Sequence, residues 1–154
     1  MTEVHFDAFP AGDGVLARSS DENLTAMADR LDELLRLLED GVVPPGRAKW
    51  WRTPAADVLL RRMFPVSDEF WAGHRESLTD PGPAKRVRAR IDEPTPWLIG
   101  FDEVEDWLIA FGLMRALYLT GRAATTSGAQ AFNHVPECLV VALQPSSATG
   151  WPAG

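Results

Sequence analysis

FDEVEDWLIAFGLMRALYLTG, residues 101–121, is the stretch whose reading decides the fold. Asp102 is followed three residues on by Glu105. In such a box the aspartate accepts from free amides of the first helical turn while the glutamate reaches back. Asp102, Glu103, Glu105 and Asp106 also set negative charge at the positive end of the helix dipole. From Trp107 to Leu119 only Gly112 and Arg115 interrupt an apolar run. Apolar residues at 104, 107, 108, 111, 114 and 118 keep helical spacing, and others at 109, 110, 113, 116, 117 and 119 fill the remaining faces. This predicts one continuous helix over 102–120, wrapped by its neighbours, with Trp107, Phe111 and Met114 in the core and Gly121 as its stop. The run is too short, with an arginine inside it, to cross a bilayer.

The remaining elements are arranged around that helix. Residues 3–18 read as two short extended runs about Gly12-Asp13-Gly14, with Val4, Phe6 and Ala8 alternating against polar neighbours, which predicts a small hairpin. Ser19 and Glu22 form a second capping box, opening a helix to Asp40 that Gly41 ends. Its stripe is Leu24, Met27, Ala28, Leu31, Leu34, Leu35 and Leu38. Residues 42–52 are a proline-rich loop, and Thr53-Pro54 starts a short helix that stops at Pro65. Ser67 caps the next, which runs through Phe70, Trp71, His74 and Leu78. Another follows Pro81-Gly82-Pro83, and Trp97-Leu98-Ile99 leads from its end into the central helix. Residues 132–143 read as a closing helix in preference to a strand. The expected architecture is mainly α: a single compact domain over 1–143 of about six helices with a small N-terminal β-hairpin. A flexible tail is expected over 144–154.

Charge is sorted along the chain. Residues 1–46 carry ten acids and three arginines, residues 47–90 ten bases and five acids, and residues 91–154 seven acids and two arginines. The whole chain of 154 residues has a net charge of −7. A single basic segment in an acidic chain predicts weak or indirect DNA binding, since affinity follows the phosphates neutralised. It suits a complementary protein surface better. The candidate interaction residues are therefore Arg47, Lys49, Trp50, Trp51 and Arg52 in the loop, and Lys85, Arg86, Arg88 and Arg90 beyond it.

Little in the sequence points to catalysis. His5, His74 and His134 are scattered, and only His134 and Cys138 have ligand-like spacing, short of the three or four ligands zinc needs. There is no nucleophile elbow and no glycine-rich phosphate loop. No catalytic residue, metal or cofactor is assigned. The single Cys138 excludes an internal disulfide and points to a reducing cytoplasm, and no export signal is read in the first fifteen residues. Arg115 is the one charge whose setting needs an explanation. A buried guanidinium must be paired, and Asp29, Asp32 and Glu33 on the first helix are the expected donors of the counter-charge. The alternative is a small-molecule-binding or catalytic helical domain with a pocket near Arg115 and His74.

Three runs carry a resemblance: L-x-R-x-F-P at Leu60–Pro65, E-F-x-x-x-x-x-x-S-L-T at Glu69–Thr79, and F-D-E-V-E-D-W-L-x-A-F-x-x-x-R at Phe101–Arg115. In that order, with Phe132–Leu143 as a closing helix, the chain resembles the AosR-like family of actinobacterial oxidative-stress transcriptional regulators. Genes of that family tend to lie beside the ClpS adaptor. The resemblance implies a non-enzymatic regulator that contacts an alternative sigma factor, a proteolytic adaptor or another protein partner, with redox control through a C-x-x-x-C pair. Here His134 stands where the first cysteine of that pair would be, leaving Cys138 as the lone redox candidate. No membrane partner is expected, and a homo-oligomer stays open.

Overall fold

The computed structural model describes residues 6–44, 56–118 and 130–143, with side chains in the last segment from His134 onward. The element order is β1 (Phe6–Ala11), β2 (Gly14–Ser19), α1 (Asp21–Asp40), α2 (Ala56–Arg62), α3 (Asp68–Leu78), α4 (Gly82–Ile91), β3 (Trp97–Gly100), α5 (Phe101–Tyr118) and α6 (Gln130–Leu143). The fold is mainly α, as the sequence implies. The expected tail at 144–154 and the loop residues Arg47, Lys49, Trp50, Trp51 and Arg52 lie outside the described residues.

The hairpin forms in antiparallel register, with Ala11 opposite Gly14 and Phe6 opposite Ser19. It gains a third strand where the sequence predicts only a connector. In β3, Trp97 pairs with Ala17 and Ile99 with Val15. Four residues between a proline and a helix give no periodicity to detect, and their partner is remote in sequence. A Cβ on Gly14 would lie 2.1 Å from the Ile99 carbonyl oxygen, so β2 and β3 can approach this closely only at a glycine. The inner face of the sheet presents Phe6, Val15, Ala17, Trp97 and Ile99, all buried.

Helix α1 begins one residue later than its predicted box. Ser20, in extended conformation, accepts the Asn23 amide at 3.2 Å, while the Ser19 hydroxyl accepts from Asn23 Nδ2 at 2.8 Å. Gly41 closes the helix at φ 68°, and its N–H donates to the Leu37 carbonyl at 3.2 Å. Met27, Leu31, Leu34 and Leu37 make the buried stripe.

Helix α5 also starts one residue off its box, at Phe101, and the carboxylate that reaches back is that of Glu103, accepting from the Gly100 N–H at 3.5 Å. Trp107, Phe111 and Met114 are fully buried as expected. The helix is not wrapped all round, however: Asp102, Glu105, Ile109, Gly112 and Arg115 are exposed at three- and four-residue spacing, forming one solvent stripe. Helices α1, α4 and α6 pack around the rest of it, and α6 also lies against β1.

An aromatic cluster ties sheet to helix. Trp107 lies 6.1 Å from Phe6, 5.5 Å from Trp97 and 5.8 Å, stacked, from Phe111. The two tryptophans differ in one respect. Trp97 Nε1 donates to the Glu93 carbonyl at 3.0 Å, whereas the buried Trp107 Nε1 has no partner among the described residues. A buried unpaired donor carries a desolvation cost of about 1–3 kcal/mol. Trp107→Phe removes that cost along with some volume, while Trp97→Phe loses a made bond. In denaturant titration, Trp107→Phe is expected to lower stability less than Trp97→Phe; the reverse order would contradict the assignment.

Candidate functional site

The basic residues of α4 are already engaged within the molecule. The inner side of the helix is Pro83, Ala84, Val87 and Ile91, all buried. The helical repeat sends Lys85 and Arg88 to one flank and Arg86 and Arg90 to the other. On the first flank, toward α1, Lys85 pairs with Glu39 at 2.6 Å and Arg88 with Asp32 at 2.9 Å. On the second, toward α5, Arg86 makes a two-pronged contact with Asp106 at 2.7 and 2.9 Å, and Arg90 grips Glu103 with both arms of its fork. Arg88 and Arg90 also hold Asp92 and Glu93, just past the end of α4, at 2.7 and 2.8 Å. These hydrogen bonds, to Glu39, Asp106, Asp32 and Glu103 respectively, raise the pKa of Lys85, Arg86, Arg88 and Arg90. Each of the four thus has an acidic partner within the chain, while the Lys85 and Arg86 side chains stay 56% and 61% exposed. They are bridges between two acidic helices.

The ion pair expected of Arg115 is absent among the described residues. Arg115 is exposed, on the solvent stripe of α5. The acids meant for it have other partners: Asp32 holds Arg88, and Glu33 accepts from Arg30 at 2.8 Å and from the Tyr118 hydroxyl. Tyr118, one turn after Met114, is thus the polar residue by which α5 meets α1. Burial first, then the Glu33 hydrogen bond, raise its pKa. His74 is likewise exposed, stacked on Phe70 at 3.9 Å with Nδ1 3.0 Å from the Phe70 carbonyl oxygen. Among the described residues Arg115 and His74 are not brought together in a pocket: each is exposed on its own helix.

Cys138 and His134 lie on one side of α6 against β1. His134 Nε2 is 3.1 Å from the Phe6 carbonyl oxygen, and the Cys138 sulfur is 3.5 Å from that oxygen and 3.5 Å from His134 Nε2. Both groups serve as covers for a strand carbonyl. Burial, followed by the fields of Asp7 and Glu137, pushes the Cys138 thiol up, so the nucleophilic thiolate is disfavoured. Among the described residues no group of three or more His, Cys, Asp or Glu is placed to hold a metal ion. No described helix is long and apolar enough to cross a membrane.

Two further features offered to a partner are apolar, and neither is readily evident from the sequence. The first is α3, which has no buried residue. Its Ser67 cap accepts the Phe70 amide at 3.1 Å, as expected. It is fastened to α2 by arginines. Arg61 donates to the Phe64 and Val66 carbonyls and to Asp68 at 2.9, 2.7 and 2.7 Å, and Arg75 pairs with Asp57 at 2.8 Å. Trp71 sits between these guanidiniums, 5.5 and 5.8 Å from its ring, and 5.4 Å from Phe64. Phe70 remains 44% exposed. The second feature is the outer face of the sheet, where Phe9, Leu16 and Leu98 are exposed. A signal for it was present: Val15-Leu16-Ala17 and Trp97-Leu98-Ile99 are apolar on both strand faces, not one.

Comparisons with known proteins supply no relative: no family model, no curated protein and no solved structure matches the chain.

Two measurements check the thiol. Iodoacetamide is expected to alkylate Cys138 more slowly in the native protein than in the unfolded chain at the same mildly alkaline pH, and a native rate as fast would contradict its placement. The sign for stability follows from the raised value. The contribution is fully present below the unfolded thiol's pKa and is lost as pH rises through the folded one. Cys138→Ser should therefore flatten part of the alkaline loss of stability.

Proposed function

We propose that this chain is a non-enzymatic protein-interaction domain with a regulatory role, and that α3 is the element it offers to a partner. The supporting observation is an 11-residue helix without one buried side chain. A helix this short is marginal in water by itself. Here arginine contacts with α2 hold it, while Phe70 and the stacked His74 stay in solvent. Aromatic side chains on a preformed helix concentrate binding energy and lose little entropy when they bind.

The resemblance to AosR-like regulators supplies the rest of the reading: the partner is an alternative sigma factor or a proteolytic adaptor in the cytoplasm. The neutralised cations of α4 fit a role in which DNA is reached through that partner. Control by an internal thiol pair does not extend to this chain, which has one cysteine.

The test is binding of the purified protein to purified alternative sigma factors and the proteolytic adaptor of its source organism, by calorimetry. A complex weakened on the order of tenfold or more by Phe70→Ala with His74→Ala is expected. Both residues are exposed, so circular dichroism should be unchanged. Affinity untouched by the pair, or no complex with any of these proteins, would overturn the proposal.

A further inference from the structure

A second surface stands on evidence independent of α3. Register places Phe9 opposite Leu16, and Leu16 opposite Leu98, so three large apolar side chains form one row across the outer face of the sheet. They are 48%, 40% and 54% exposed. A solvated sheet face is ordinarily polar at alternate residues. This one is polar only at the end where Arg18 pairs with Asp7 at 3.3 Å and lies 5.7 Å over the Phe9 ring. At the other end Gly14 pairs with Gly100. There the hairpin turn brings Asp13, and the start of α5 brings Phe101, 57% exposed, and Asp102. Neither acid has a cation partner among the described residues.

We propose that this face docks an amphipathic helix of another protein, its apolar stripe over Phe9, Leu16 and Leu98 and its lysines or arginines toward Asp13 and Asp102. The dimensions suit a helix. Three strands at about 4.8 Å spacing put the outer two roughly 10 Å apart, the diameter of one helix at about 10–12 Å. The inner face already carries helices, and a helix on the outer face completes a layered arrangement. Charge selects the occupant. A second copy would bring the same two acids in a chain of net charge −7, and like charges across an interface are unfavourable. Residues 144–154, QPSSATGWPAG, hold no lysine or arginine and two prolines, and do not match that chemistry.

The probes are two designed helical peptides with the same leucine stripe, one with lysine and one with glutamate on its polar positions, titrated against the full 15N-labelled chain. The lysine peptide is expected to shift resonances of β1, β2 and β3, to bind at least about tenfold tighter than the glutamate peptide, and to lose about as much affinity with Leu16→Ser plus Leu98→Ser. Asp13→Asn with Asp102→Asn should weaken the lysine peptide and leave the glutamate peptide no weaker. Unchanged affinity in the leucine variant, shifts confined to α3 or α5, or equal binding of both peptides would overturn the proposal. So would a dimer in sedimentation equilibrium that the leucine variant abolishes, because the face would then belong to a second copy.

Discussion

Four cations on one ten-residue helix set how the helices of this protein sit together. Pro83, Ala84, Val87 and Ile91 form the buried apolar side of α4, and ion pairs flank that side on both edges. Glu39 and Asp32 on α1, and Asp106 and Glu103 on α5, are met at fixed positions by alternate flanks of α4. A single exposed pair contributes little, about 0.2–1 kcal/mol. In this arrangement Arg88 and Arg90 each hold two acids, so one ordered side chain serves two contacts. Arginine suits the position because its planar fork takes a carboxylate two-pronged and stays charged at any ordinary pH.

This explains the sorting of charge along the chain. An acidic first third, a basic middle and an acidic last third look, on a linear sequence, like a protein with a positive patch for a partner. In three dimensions α4, which carries four of the ten bases, lies between the two acidic helices α1 and α5. Composition reports the sign of each segment, and only topology reports which segments meet. The same limit applies to Arg115. An arginine amid apolar residues was expected in the core because the helix is apolar on most of its circumference, yet Asp102, Glu105, Ile109 and Gly112 share its stripe and carry it to solvent.

What was legible was local. The Ser67 cap, the Gly41 stop, the hairpin turn and the stripe of α1 follow from backbone chemistry within a few residues, and each is found within one residue of its expected place. β3 was not legible, since a four-residue strand takes its identity from β2. Nor were the two exposed apolar surfaces, because a phenylalanine or leucine in a sequence reads first as core. The doubled apolar pattern of β2 and β3 was the one available hint that the outer face of the sheet is apolar too. With the α4 cations engaged internally, these surfaces move the functional question from charge to exposed aromatic and aliphatic side chains.

The most direct test of the account is a double-mutant cycle on Arg90 and Glu103, using Arg90→Gln, Glu103→Gln and both together in denaturant titrations at low and high salt. Each single change is expected to destabilise, with the pair coupled by about 1 kcal/mol and the coupling shrinking as salt rises. Effects that add within about 0.3 kcal/mol at low salt would contradict it.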